Sequence, residues 1–372
     1  MAESKTDTQE NAMNITKITF AIMIGGISLS AFAQRQAPVV SPQVNPDRTV
    51  VFRLAAPQAT TVEVSAEFSG GKKAMNKDDK GLWSITLGPA EPDLYSYSFF
   101  VDGVQMIDPA NAAVKVSLRA TESLVEVRGE TPQCYETQNV PHGLLHRHRY
   151  FVKDINRTRS FIVYTPADYA ANATARYPVL YLLHGSGDNE EGWTAVGRAH
   201  DILDNLLAAK KAVPMLIVMP FGQVEGDNGY TFEKDLLGAV IPAVEANYRT
   251  APGPQNRALA GLSMGGFQTI DIGIKNMDTF AWLGVFSAGI RGDYAKVHEA
   301  FLPQANSKLK LLWVGIGKDD FLFQNFTDLQ KLLDEQKIRY TVKITEGGHW
   351  WRLLRRYLDE LMPLLFRENG QK

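Results

Sequence analysis

Ser263 lies in Gly261-Leu262-Ser263-Met264-Gly265-Gly266, a G-x-S-x-G pattern that follows the apolar run Ala258-Leu259-Ala260 and precedes a segment with helical spacing. A serine hydroxyl becomes a useful nucleophile when it is pushed into solvent on a sharp strand-to-helix turn beside a base. Gly261 and Gly265 remove the Cβ atoms that would collide across such a turn, and Gly266 lets the helix approach the sheet. The helix that begins there points free N–H groups and its positive end toward the place where an oxyanion would form. The alternative is an ordinary glycine-rich turn, so the motif has to be judged by what surrounds it.

The base expected beside such a serine is a histidine held by a carboxylate. Seven histidines are present, and His349 is the best placed. It lies in Glu346-Gly347-Gly348-His349-Trp350, between the last strand-like and the last helix-like segment. The orienting acid is expected after the preceding strand, where Lys318-Asp319-Asp320-Phe321 offers two neighbouring aspartates. Spacing does not choose between them. An oxyanion hole needs the N–H of the residue after the nucleophile, here Met264, and a second donor from an early strand-end loop. His184-Gly185-Ser186-Gly187-Asp188 fits that place. The Ser186 N–H is the expected donor, its neighbour Gly187 is the alternative donor and an expected substrate contact, and His184 is read as a support for the loop.

The elements that must carry these residues change character along the chain. Residues 48–128 show short alternating runs, among them Val50-Val51-Phe52-Arg53-Leu54 and Thr61-Val62-Glu63-Val64-Ser65. Turn signals at Asp78-Asp79-Lys80-Gly81 and Asp102-Gly103 separate them, which suggests a β-sandwich. Residues 131–141, with Pro132 and Pro141, read as a linker. Beyond Tyr150, nearly uniform apolar runs such as Tyr177-Pro178-Val179-Leu180-Tyr181-Leu182-Leu183 alternate with helical patterns. That predicts a mostly parallel sheet covered on both faces, an α/β fold. Its last strand, at residues 340–345, alternates and is expected near the sheet edge. Pro242 is expected to kink the helix at 232–248. His146 and His148, alternate residues on a strand, would face one way; a metal site there would need a third ligand.

The chain has 372 residues, 45% hydrophobic and 22% charged, with a net charge of −2. Nothing in that balance favours nucleic acid or an anionic membrane as partner. The single cysteine, Cys134, excludes an intramolecular disulfide. Residues 18–29 are mostly apolar and precede Ala31-Phe32-Ala33, so residues 1–33 read as a signal peptide cut before Gln34, with Met13 as a possible true start. A secreted or periplasmic protein is therefore expected; a membrane anchor is the competing reading.

Two resemblances follow from these residues. Phe52-Arg53-Leu54-Ala55-Ala56-Pro57, Gly81-Leu82-Trp83-Ser84, Tyr95-Ser96-Tyr97-Ser98-Phe99 and Val101-Asp102-Gly103 with Asp108-Pro109 resemble the immunoglobulin-like domain that precedes many bacterial esterases and is related to family 48 carbohydrate-binding modules. Its aromatics either stack on sugars or fill a small core. The second resemblance covers residues 141 to the end. Tyr181-Leu182-Leu183-His184-Gly185, residues 188–193, Arg257 through Gly266, Gly317-Lys318-Asp319-Asp320-Phe321 and Gly347-Gly348-His349 with Trp351, Arg355, Tyr357 and Leu358 are similar to carbohydrate esterase family 1, the esterase D-like group of feruloyl and acetyl xylan esterases.

This resemblance implies an α/β-hydrolase fold over residues 142–372 behind a sandwich at residues 34–130. It also implies a Ser263, His349, Asp320 triad, with no metal or cofactor. Trp350 and Leu354 depart from the family pattern: a small residue is expected at the first and a tryptophan at the second. Trp350 is thereby expected at the substrate rim. The implied substrate is a hydroxycinnamoyl ester on arabinoxylan. The alternatives are an acetyl ester of xylan, a siderophore ester of the enterochelin type, or glycan binding by an inactive esterase fold.

Overall fold

The computed structural model describes residues 38–223 and 231–367. The expected signal peptide at residues 1–33, with Met13, lies outside the described residues. The described residues from 39 onward belong to one compact unit.

The alternating runs of the first part pair into antiparallel sheets. One is ordered Gln43–Val44, Val50–Ala55, Leu82–Leu87, Asn76–Lys77. The other runs Gly71–Ala74, Val62–Ala66, Asp93–Val101, Glu122–Val127, Val114–Lys115, with Val104–Met106 also paired to Asp93–Val101. Alternate residues of both, including Val50, Phe52, Leu54, Val62, Val64 and Tyr97, share one core. Trp83, Tyr95 and Phe99 are buried in it, at 7%, 4% and 0% exposure, so they are core residues and no platform for sugar.

The second part is a sheet of eight strands. In chain order these are β1 (Leu144–Val152), β2 (Arg157–Thr165), β3 (Val179–Leu183), β4 (Leu216–Pro220), β5 (Arg257–Leu262), β6 (Trp282–Phe286), β7 (Leu311–Gly317) and β8 (Thr341–Thr345). Their spatial order is β1-β2-β4-β3-β5-β6-β7-β8. β1 and β2 are antiparallel, and β3 to β8 run parallel. This is the mostly parallel α/β arrangement the apolar runs require, with β8 at the edge.

Period two along β3 divides the core: Val179, Tyr181 and Leu183 face one layer, Leu180 and Leu182 the other. The first layer holds α2 (Met264–Lys275) and α3 (Phe323–Glu335) through Ile270, Ile272, Ile274, Phe326, Leu329 and Leu333. The second holds α1 (Ala199–Ala208) and α4 (Trp351–Leu361) through Ile202, Leu203, Leu353, Leu354 and Leu358. Between β4 and β5 a helix runs Phe232–Asp235, then Leu236–Val240 in π geometry, then Ile241–Asn247. Pro242 explains the widened turns. It has no N–H, and its ring would collide with the carbonyl four residues back.

The stretch read as a linker is packed. Tyr135 is 4% exposed and belongs to the same core layer as α1 and α4, with Leu94 and Leu124 of the sandwich. Asn205 donates two hydrogen bonds into it, to the carbonyls of Cys134 and Glu136. Burial pushes the Cys134 thiol up to about 12, which keeps it protonated and unreactive at neutral pH. Among the described residues no helix is long and apolar enough to cross a membrane.

Candidate active site

Because β3, β5, β7 and β8 are parallel, the loops that follow them emerge at one edge of the sheet. That edge gathers Ser186 after β3, Ser263 after β5, Asp320 after β7 and His349 after β8. Ligands of open parallel sheets bind at this edge because the loops and helix N-termini converge there.

Ser263 sits on the turn between β5 and α2 with φ 54° and ψ −116°, a conformation an L residue adopts only under strain. Its N–H is pinned to the Phe286 carbonyl at 2.9 Å. The neighbouring glycines make the turn possible. A Cβ on Gly265 would lie 2.7 Å from the His184 carbonyl oxygen, and one on Gly261 would lie 2.5 Å from the Gly265 carbonyl oxygen. Met264 opens α2, so its N–H is one of the helix's unpaired first-turn donors.

His349 Nδ1 lies 2.9 and 3.1 Å from the two carboxylate oxygens of Asp320. The Asp320 side chain is fully buried and also accepts the Leu322 N–H at 2.9 Å. Burial alone would raise its pKa, but the hydrogen bonds from His349 and Leu322 outweigh it and hold the carboxyl below its ordinary value. Asp320 is thus a fixed anion, and Nδ1 of His349 carries the proton that faces it, leaving Nε2 as the basic nitrogen. Asp319 donates its N–H to the Gly347 carbonyl and lines a different space. The exposed ring of Phe321 lies 4.7 Å from the His349 ring, centroid to centroid.

Trp350 is 42% exposed, but its ring lies back on the Gly347 and Gly348 backbone and carries the Arg352 guanidinium at 4.2 Å. It lines a groove of about 570 Å³ with Asp319, Glu346, Glu91 and Gln133. The aromatic ring next to His349 is Phe321, for which the sequence reading gave no role.

In the loop after β3, His184 is 1% exposed. Its Nδ1 meets the Gly185 carbonyl at 2.8 Å and its Nε2 accepts the Gly222 N–H at 2.9 Å. Those partners require the neutral tautomer with the proton on Nδ1. Burial accordingly lowers its pKa below the ordinary 6.5. Gly187, at φ 84°, donates its N–H to Gln223 Oε1 at 3.3 Å and accepts the Leu118 N–H at 2.8 Å. Its open face is covered by Arg119, since a Cβ there would lie 2.6 Å from Arg119 Nε. Arg119 also donates to Ser186 Oγ at 3.2 Å. Leu118, Arg119 and Gln223 escaped the sequence reading: they arrive from a remote loop of the sandwich and from the end of β4, and no local pattern marks them.

A pH prediction arises from His184. In the folded chain it stays neutral below pH 6.5, whereas in the unfolded chain it takes up a proton there. Its contribution to stability is therefore present above 6.5 and is lost as pH falls toward the folded value. His184→Gln is expected to lower stability at neutral pH, by losing the Gly222 bond, yet to flatten the fall between about pH 7 and pH 5. Thermal unfolding of both proteins across that range checks it; parallel pH curves would reject the role.

His146 and His148 do face one way on β1. They bond to Thr165 Oγ1 at 3.0 Å and to the Tyr248 hydroxyl at 2.6 Å. Among the described residues no group of three His, Cys, Asp or Glu side chains is arranged to hold a metal.

The Esterase family model matches residues 153–360, more than half of the chain. The endo-1,4-beta-xylanase/feruloyl esterase of Xylanibacter ruminicola is 30% identical over 347 residues, 88% of this chain and 46% of that protein. The chain thus spans about half the length of that curated relative. A solved ferulic acid esterase superposes with a TM-score of 0.54 at 25% identity, covering 60% of this chain and 97% of its own. The enterobactin esterase FES from Shigella flexneri superposes with a TM-score of 0.63 at 17% identity, covering 84% of this chain and 92% of its own. The FES likeness speaks to fold alone, and its coverage exceeds what residues 142–372 supply, so it extends into the sandwich.

Proposed function

The chain belongs to the esterase family, and from that premise we propose that it is a secreted or periplasmic serine hydrolase of hydroxycinnamoyl esters on plant arabinoxylan. In this reading Ser263 Oγ attacks the ester carbonyl carbon while His349 Nε2 takes its proton. The Met264 and Ser186 N–H groups receive the oxyanion. The tetrahedral intermediate collapses, His349 returns the proton to the leaving alcohol, and an acyl group remains on Ser263. Water then attacks the acyl-enzyme with His349 again as base, releasing the acid and the free serine. Asp320 holds the imidazole and balances its charge in both halves.

The observation that carries the mechanism is the pairing of His349 Nδ1 with buried Asp320, at the same sheet edge as the strained Ser263 turn. Engagement of the Gly187 N–H by Gln223 favours Ser186 as the second donor. The ferulic acid esterases among the similar proteins and the exposed Phe321 ring beside His349, which offers a face to a phenyl ring, support a hydroxycinnamoyl acyl group. The sandwich, residues 34–130 in this reading, belongs to the immunoglobulin-like class, and residues 142–372 to the α/β-hydrolase class.

Initial rates on methyl hydroxycinnamates, acetylated xylan and a catecholate trilactone test the acyl assignment. Hydroxycinnamate turnover at least about ten-fold above the others in kcat/KM is expected. Release of acetate alone would move the activity to deacetylation, and preference for the trilactone to siderophore release.

A further inference from the structure

The sandwich loop at residues 116–121 is fastened to the loop after β3 by contacts of several kinds. Leu118 donates its N–H to the Gly187 carbonyl at 2.8 Å, and Asn189 Nδ2 donates to the Val116 carbonyl at 3.1 Å. Lys115 and Asp188 form a largely buried ion pair at 3.1 Å. Arg119 lays its stem across Gly187 and hydrogen-bonds Ser186 Oγ. Gly187 is required at this contact twice over, by its positive φ and by the absence of a side chain that would displace Arg119. A cation from the sandwich therefore stands on the expected oxyanion donor, Ser186, and on its neighbour Gly187, and its side chain is exposed toward solvent.

We propose that Arg119 is a specificity-determining residue of the ester site, a hydrogen-bond donor to the saccharide alcohol of the substrate. The inference rests on the serine-esterase reading above. A guanidinium has five N–H donors in a planar fork, and the Ser186 bond occupies one of them. In a sugar ester, hydroxyl and ring oxygens lie within a few atoms of the scissile bond. A hydroxycinnamoyl chain presents an apolar alkene and ring there, with its oxygens at the far end. Apart from the carbonyl oxygen, which the backbone N–H groups take, the acceptors within reach of a donor at Ser186 thus belong to the alcohol side. Leu118 and Val116 of the same loop are exposed, which adds apolar surface suited to the C–H faces of a sugar ring. On this account the sandwich recognises glycan through one loop edge and not through its buried aromatics.

The test compares kcat/KM for a feruloylated arabinoxylo-oligosaccharide and for methyl ferulate, which share the acyl group and differ in the alcohol. In Arg119→Ala the oligosaccharide ester is expected to lose about ten-fold, several times more than the methyl ester. Arg119→Lys, which keeps the charge without the fork, is expected to recover only part. Equal losses on both esters would overturn the proposal and leave Arg119 as a brace of the oxyanion loop; no loss on either would remove it altogether. If acetate is the preferred acyl group, the same ratio is read between acetylated xylo-oligosaccharide and ethyl acetate, so an error in the acyl assignment does not decide the matter. A parent protein that hydrolyses no ester would end both readings.

Discussion

Replacing Ser263 with alanine is expected to lower kcat by about 10⁴- to 10⁶-fold on any ester the protein hydrolyses, while leaving it folded. The chemical reason is that no other hydroxyl occupies the strained turn that the sheet edge and α2 present together. The residual rate would come from the oxyanion donors and from binding. The fold survives because the Ser263 contribution to structure is its backbone: the N–H bond to Phe286 and the φ of 54° are available to alanine at the same cost. Unfolding midpoints should therefore agree to within the small change expected of a substitution outside the core. His349→Ala should be nearly as inactive. The double variant should be no worse than either single one, because nucleophile and base act as a unit. Multiplicative losses would show that the two residues work independently.

The second large effect is structural. Arg355 of α4 is fully buried and pairs with Asp93 at the start of the sandwich strand Asp93–Val101. It also donates to the carbonyls of Leu94 at 3.0 Å and Val196 at 2.8 Å, and lies 4.5 Å over the Tyr135 ring. One side chain thus joins the sandwich, the 131–141 stretch and the helical layer. Arg355→Ala is expected to cost about 3–5 kcal/mol, because Asp93, 2% exposed, would lose its buried partner and be left with Arg356 at 3.9 Å. Arg355→Met with Asp93→Asn should recover a good part of that loss, since the larger penalty comes from the orphaned carboxylate. Chemical denaturation of the single and double variants measures both. A loss below about 1 kcal/mol in Arg355→Ala would mean that the pair carries no net energy.

The parts of this site that the sequence disclosed are those whose physics is local. The Ser263 turn announces itself because glycine is needed within a few residues of the serine, and the apolar run before it is one strand of a buried sheet. The helix at 232–248 was legible for the same reason, since Pro242 acts on the backbone around it, where the turns widen over Leu236–Val240. Asp319 and Asp320 are different. They are adjacent and chemically identical, and only the descent of one carboxylate beneath His349, where Leu322 N–H meets it, separates them. Trp350 illustrates a further limit: its position after His349 is a matter of sequence, but its ring direction is set by the bare backbone of Gly347 and Gly348 and by Arg352. Arg119 and Gln223 were invisible because their meaning depends on contacts with Ser186 and Gly187, 67 and 36 residues away along the chain. The packing of residues 131–141 was hidden in the same way. Prolines and polar residues suggested slack chain, whereas Tyr135 is drawn into a core built by distant helices.

The central claim is that an acyl group passes through Ser263. The most direct measurement is rapid quenching of the protein during turnover of a hydroxycinnamoyl ester, followed by peptide mass analysis. The mechanism predicts a hydroxycinnamoyl adduct on the peptide containing Ser263, formed in step with a burst of released alcohol and absent from Ser263→Ala. An adduct on another residue, or undiminished turnover in Ser263→Ala, would contradict it.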